Sequence, residues 1–324
     1  MRKRIAVLTS GGDAPGMNAI IRSVVRFACR EGFEIWGVEG GYRGLINGEL
    51  NEIDALTVTN IIHKGGTILY TERCEAFKTE AGQLAAKSTC QKFEIDALII
   101  IGGDGSLTGA MEFADLGVPC IGLPATIDND VVSSEYSIGF DTATNTAIEM
   151  VDKLRDTTQS HNRCLVVEVM GRNSGNLALN VAVACGAVAV LVPERDTTES
   201  ERILIRNIKA YKKAGMHNLL VIVSEGYKNK QLLVELISKE VNCEIRTSVL
   251  GYVQRGGTPT SKDRILASQM GELAVELVKN EKLNKVIVAI SGEIAAIPLS
   301  KVLEPTEKTS ANFFELVNNL VNMF

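Results

Sequence analysis

The sequence predicts an α/β protein with mainly parallel sheet. Short apolar runs alternate with amphipathic stretches almost from end to end, and several of those runs feed straight into glycine-rich loops. There is no tandem repeat, low-complexity tract or proline-rich linker, which argues against two independent domains on a flexible hinge. Residues 4–9 read as the first strand, running into the loop Gly11-Gly12-Asp13-Ala14-Pro15-Gly16. Met17, Ile20, Ile21, Val24 and Ala28 then recur at helical spacing. The next strand is 33–38, and further apolar runs predict strands at 96–101, 118–123, 164–169, 187–192, 218–224, 244–249 and 285–290, with helices between most of them. The pattern changes around 139–144, where a helical stretch opens a second series of strands and glycine loops. A second, discontinuous domain follows from that change and from a length of 324 residues.

Composition excludes several classes. A hydrophobic content of 45% is ample for proper cores. The basic start Met-Arg-Lys-Arg is followed by an apolar run, 5–8, far shorter than the ~7–15 residues of a signal-peptide core. No run reaches membrane-spanning length, so the cytoplasm is the expected compartment and no membrane partner is expected. The 7 cysteines (29, 74, 90, 120, 164, 185, 243) are scattered without a CxxC pair, as reduced thiols would be. His63, His161 and His217 lack ligand spacing, leaving a zinc site or a histidine triad little to build on. A net charge of −5 argues against nucleic acid as a partner.

The most informative segment is 95–106, a buried-strand pattern running into Gly102-Gly103-Asp104-Gly105-Ser106. Ligands of open α/β sheets sit at such strand ends, and glycines let backbone N–H groups approach a polyanion. A carboxylate beside phosphates repels them unless a divalent cation such as Mg²⁺ lies between, so Asp104 points to magnesium-nucleotide chemistry. Thr126-Ile127-Asp128-Asn129-Asp130 follows another apolar strand. One of its carboxylates could take a hydroxyl proton during attack on a γ-phosphoryl group, or the pair could simply cap a helix or brace a turn. Arg73, Arg163, Arg172, Arg246 and Arg255 each stand beside a strand end or a glycine. A single such arginine is usually just solvated, but five at these junctions suit a phosphorylated substrate, because guanidinium binds phosphate in a fork and keeps its charge.

These motifs resemble the bacterial-type 6-phosphofructokinases over nearly the whole chain. The resemblance is carried by 7–19 (VLTSGGDAPGMNA), 102–106, 126–130, 167–172 (VEVMGR), 254–257 (QRGG) and 263–268 (DRILAS). It implies two Rossmann-like three-layer α/β domains, 1–140 plus 255–303 for nucleotide and 141–254 plus 304–324 for sugar phosphate, with the active site in the cleft between them. The implied reaction is transfer of the γ-phosphoryl group of Mg-ATP to the 1-hydroxyl of fructose 6-phosphate. By the same resemblance Asp128 is the general base, with Thr126 and Asp130 supporting, and Asp104 the Mg²⁺ partner. Arg172, Gly12 and Arg73 would stabilise the transferring and nucleotide phosphates. Gly11, Tyr42, Cys74, Gly103, Gly105, Ser106 and Gly109 would complete the ATP site. Met170, Gly171, Glu225, Tyr252 and Arg255 would hold the sugar phosphate, with Thr126, Asp128, Asp130 and Arg172 facing it. Arg163 and Arg246 would reach it from a neighbouring subunit of a homotetramer.

The sequence also departs from the family pattern. Tyr252 stands where the family usually has histidine, and a phenol cannot become cationic near neutral pH, so sugar-phosphate affinity is expected to fall. Ala125 replaces a glycine, Lys78 an arginine and Cys74 an aromatic. Pyrophosphate-using relatives tend to carry an aspartate at the position of Gly105 and a lysine at that of Ala125. The small neutral residues here favour ATP. Arg22 and Arg26, at i and i+4, match part of the family's allosteric nucleotide site together with Arg155. Ala55, Ala214 and Met216 stand in place of its cations, and Val188 in place of an acidic residue. Regulation by ADP and phosphoenolpyruvate is therefore expected to be weak or absent. Pyrophosphate-dependent and catalytically reduced regulatory relatives are the alternatives. A dinucleotide-binding oxidoreductase would need a GxGxxG spacing that neither glycine loop has.

Overall fold

The computed structural model describes residues 2–304 apart from Asn162, Asp196, His217, Asn242 and Cys243, and beyond them only Leu316 and Leu320. His217, Cys243 and most of the 304–324 tail expected in the smaller domain thus lie outside the described residues. The chain divides into two compact α/β units, one running from the N-terminus to Thr142 and rejoined by the stretch that opens at Arg255, the other made of Ala143–Gln254.

The first unit begins with β1 (Arg4–Ser10), α1 (Met17–Arg30), β2 (Glu34–Val38), α2 (Gly41–Asn47) and β3 (Leu50–Glu52). It continues with α3 (Glu80–Lys92), β4 (Ala97–Gly102), α4 (Asp104–Asp115) and β5 (Cys120–Pro124). α5 (Phe140–Gln159) leads into the second unit, which holds β6 (Cys164–Val169), α6 (Asn176–Cys185), β7 (Ala189–Leu191), α7 (Thr198–Lys213), β8 (Leu219–Ser224), α8 (Lys230–Val241) and β9 (Ile245–Val249). The chain then returns with α9 (Ser261–Lys279), β10 (Lys285–Ile290) and β11 (Glu293–Pro298).

In the first unit the strand order is β11-β10-β5-β4-β1-β2-β3. All neighbours are parallel except the edge pairs β10/β11 and β2/β3. β4 shows why the sheet is central: Leu98, Ile99, Ile100 and Ile101 are all fully buried. Successive residues of a strand face opposite sides, so both faces are covered, and such strands read as unbroken apolar runs. Leu98 and Ile100 share a core with Tyr42, Leu45, Phe77, Ala110 and Phe113. α1 lies along α9, where Ser23 Oγ donates to Ser268 O at 2.6 Å. The second unit carries an all-parallel sheet, β7-β8-β6-β9. Its core gathers Val166, Leu191, Val221 and Val223 with Leu204, Ile208, Leu233 and Ile237 from α7 and α8.

The predicted strands all form, most with ends shifted by one or two residues. β3 and β11 were not predicted. Both are antiparallel edge strands with largely exposed or half-exposed residues, so they lack the apolar run that marks the parallel strands. Helix starts follow local chemistry: Thr79, Thr197 and Thr260 accept from backbone N–H groups in the first turns of α3, α7 and α9.

Candidate active site

In the first unit the chain runs from β1 to β2 on one side and later to β4 on the other. The strand order therefore reverses between β1 and β4, the place where open α/β sheets bind ligands. Register sets Ser10 beside Gly102 and Gly102 beside Pro124. The carboxyl ends of β1, β4 and β5 consequently release three loops side by side: 11–16, 103–106 and 125–130. Gly102 is required by this convergence, because a Cβ there would lie 2.6 Å from both Ser10 O and Ser106 Oγ. Behind Gly103, a Cβ would meet Thr126 Cβ at 3.3 Å, so the second and third loops touch.

α4 starts at Asp104 with Gly103 as its N-cap residue and no side-chain cap. The positive end of its helix dipole is thus presented to an anion, with the half-exposed Asp104 at the same end. Tyr42, expected to touch nucleotide, is buried. It stacks on Phe77 at 3.8 Å and donates through Oη to Ser106 O at 2.7 Å, supporting the loop from beneath. Burial pushes its phenol well above the usual tyrosine range. A Cβ on Gly109 would crowd these same two rings, so that glycine serves the packing of α4. Arg73 and Cys74 are brought in by a clip: Thr71 Oγ1 donates to Gly11 O at 3.1 Å and Gly11 N donates to Glu72 O at 3.3 Å. Arg73 is exposed and Cys74 packs against the core.

Asp128 is 7% exposed. Its N–H donates to Thr126 Oγ1 at 3.1 Å, and Asn129 takes a left-handed φ of 48°. Asn129 bridges the loop, donating through Nδ2 to Glu135 O and accepting from Ser137 N at 2.7 Å. Sequence reasoning missed this residue. Its signal was an asparagine, a type that tolerates left-handed backbone, between two aspartates. Arg255 forms an ion pair with Asp13 at 2.6 Å and lies so close over Gly12 that a Cβ there would come within 2.9 Å of its guanidinium. Expected as a sugar-phosphate contact, Arg255 is joined here to the first phosphate loop. Among the described residues no group of three or more acidic, histidine or cysteine side chains could cage a metal ion. A single carboxylate at an open helix end fits Mg²⁺, which keeps its waters and leans on substrate phosphates.

In the second unit Val169 of β6 stands beside Ser224 of β8, which brings Met170–Arg172 next to Glu225. Glu225 Oε1 accepts from Gly171 N at 3.2 Å and Arg172 N at 2.7 Å. These bonds hold Arg172 at φ 52°, a left-handed conformation that costs energy in any residue with a Cβ, while its side chain is exposed. The buried Gln254 accepts from Met170 N at 3.3 Å. Arg163 and Arg246 are drawn to one carboxylate, Glu244, at 2.7 and 2.5 Å. Arg163 precedes β6 and Arg172 follows it. At about 3.3 Å per residue the two ends of β6 stand about 17 Å apart, so the structure groups Met170, Gly171, Arg172 and Glu225 but leaves Arg163 and Arg246 at the other end of the sheet. Tyr252 is 77% exposed. Of the expected effector residues, Arg22 is half-buried and Arg26 exposed on α1, whereas Arg155 donates to Cys185 O at the C-terminus of α6.

The sequence profile of the family described as Phosphofructokinase matches residues 4–278. The chain belongs to the phosphofructokinase family. Phosphofructokinase relatives named ATP-dependent 6-phosphofructokinase include one from Clostridioides difficile, 45% identical over 318 residues, covering 98% of this chain and 99% of the relative. One from Shouchella clausii is 44% identical with the same coverage. The solved phosphofructokinase from Saccharomyces cerevisiae superposes with a TM-score of 0.86 at 32% identity, over 99% of this chain. The chain spans only 47% of the length of that yeast phosphofructokinase. Membership sets aside the dinucleotide-binding oxidoreductase. Among the described residues no helix is long and apolar enough to cross a membrane.

Proposed function

We infer that the chain is an ATP-dependent 6-phosphofructokinase, transferring the γ-phosphoryl group of ATP to the 1-hydroxyl of fructose 6-phosphate in glycolysis. The observation that carries this reading is the convergence of the Gly11–Gly12, Asp104 and Asp128 loops at the reversal of strand order, together with end-to-end similarity to proteins of that name. Asp128 accepts the proton of the sugar 1-hydroxyl. The freed oxygen pair forms the new bond to the γ-phosphorus as the bond from phosphorus to the β–γ bridging oxygen breaks, and ADP leaves. Thr126 and Asp130 support the base. Asp104 would hold Mg²⁺, which would supply neutralisation of the phosphate charge. The N-terminus of α4, with Gly11, Gly12 and Arg73, cradles the nucleotide phosphates, and Arg172 meets the charge that develops on the transferring group.

Met170, Gly171, Glu225, Tyr252 and Arg255 contact fructose 6-phosphate. The distance of Arg163 and Arg246 from Arg172 along β6 supports their serving a neighbouring subunit's sugar phosphate, in a homotetramer. The larger unit takes the nucleotide and the smaller the sugar phosphate. The described cysteines are free thiols, which supports work in the reducing cytoplasm. Ala125 is fully buried and small and Gly105 is exposed and small, which supports ATP over pyrophosphate. A coupled assay tests this: the purified chain should phosphorylate fructose 6-phosphate with Mg-ATP. Turnover with Mg-pyrophosphate alone would reverse the choice of donor, and oligomerisation without turnover would indicate a regulatory subunit.

A further inference from the structure

Asp263, in the first turn of α9, is fully buried, and no step of the reaction uses it. Its two oxygens are both engaged by one short strap that leads into α5. Oδ1 accepts from Gly139 N at 3.0 Å and from Tyr136 Oη at 3.4 Å. Oδ2 accepts from Thr142 N at 2.9 Å and from Thr142 Oγ1 at 2.5 Å. Thr142 Oγ1 in turn accepts from Thr260 N at 3.0 Å, which ties the strap to the start of α9 a second time. Burial raises the carboxyl's pKa, while the hydrogen bonds from Thr142 and Gly139 pull it down.

The strap touches both loops of the phosphoryl-transfer site. Ile138 donates to Pro124 O and accepts from Thr126 N, each at 3.0 Å, closing the loop that carries Asp128. Its side chain lies where a Cβ on Gly16 would come within 2.5 Å, and a Cβ on Gly139 would come within 2.8 Å of Ala14 Cβ. One dipeptide, Ile138–Gly139, therefore sits between the Asp128 loop and the end of the Gly11–Gly16 loop. The carboxylate that anchors it is far from both loops in the chain, 124 residues from Gly139 itself.

We propose that Asp263 is a positioning residue for phosphoryl transfer, fixing through the Ile138–Gly139 strap where Asp128 stands relative to the phosphate loop. This rests on the reading of Asp128 as the base. Holding a reacting group in place affects turnover more than ground-state binding, because a small misplacement is felt mainly in the transition state.

The test compares Asp263→Asn, Thr142→Val and Thr142→Ser with the wild-type chain. An amide cannot accept on both sides, and valine keeps the shape of threonine without its hydroxyl, whereas serine keeps the hydroxyl. Asp263→Asn should lower kcat by about tenfold to a hundredfold while KM for both substrates stays within about twofold. Thr142→Val should lower kcat severalfold, and Thr142→Ser should restore it. Amide hydrogen exchange in a peptide spanning 124–131 should rise in Thr142→Val and not in Thr142→Ser. Wild-type kcat in Thr142→Val with only a lowered Tm, or identical behaviour of the valine and serine variants, would overturn the proposal. If Asp263→Asn does not fold, the Thr142 pair decides alone. A wild-type chain without turnover would refute the reading of the reaction, and the exchange measurement would still judge the strap.

Discussion

In the proposed sugar-phosphate site, Tyr252 is the side chain expected to change substrate affinity without touching the chemistry. It is mostly exposed, and a tyrosine side chain has no cationic form to offer a phosphate, whereas an imidazole becomes cationic as pH falls through its ordinary value of about 6.5. Tyr252→His should lower KM for fructose 6-phosphate by about three- to tenfold, leave kcat nearly unchanged, and show a larger gain at pH 6 than at pH 8. Steady-state kinetics at the two pH values check this, and an unchanged KM at both would remove Tyr252 from the sugar site. At this scale, the residues legible in the sequence were those next to a strong local signal. Asp104 and Asp128 each follow an apolar strand run, and Arg172 follows a strand and a glycine. Asp13 with Arg255, and Asp263 with Gly139 and Thr142, were not legible as pairs, because their partners are 242, 124 and 121 residues away in the chain. Nothing local marks a buried carboxylate whose donors come from another loop. The packing of Tyr42 was not legible either: its type suits nucleotide contact, and its stacking on Phe77 beside Gly109 comes from distant parts of the chain.

α4 joins stability to function among the elements. Its N-terminus is left without a side-chain cap where phosphate would sit, and its far end is anchored by Phe113, which is fully buried and meets Phe77 edge-on at 5.3 Å. The cost of an uncapped start is offset by that anchor and by Leu107 and Ala110 in the same core. Phe113→Ala should therefore destabilise the chain by about 3–5 kcal/mol, read from the midpoint of denaturant unfolding. A change below about 1 kcal/mol would mean that the helix is held elsewhere. The parallel strands were legible because burial on both faces imposes unbroken apolar runs. β3 and β11 escaped because an edge strand with one open side can be mixed in composition, and pairing rather than pattern defines it.

For the molecule as a whole, the proposed chemistry lies at the reversal of strand order, and weak regulation is expected because Ala55, Ala214 and Met216 stand where the family pattern has cations. Arg155 is spent on the C-terminal carbonyl of α6, and Val188 is buried in the second core. ADP or phosphoenolpyruvate should move half-saturation for fructose 6-phosphate by less than about twofold, against the 5–150-fold of ordinary allosteric coupling. Saturation curves at fixed Mg²⁺ check this, and a strong shift with either effector would show that a binding site survives. The most direct test of the account is the turnover of Asp128→Asn with Mg-ATP and fructose 6-phosphate. Asparagine keeps the shape and the Thr126 contact of the backbone but cannot accept the proton. kcat should fall by about 10²–10⁴-fold with KM for both substrates little changed. A variant that keeps wild-type turnover would contradict it.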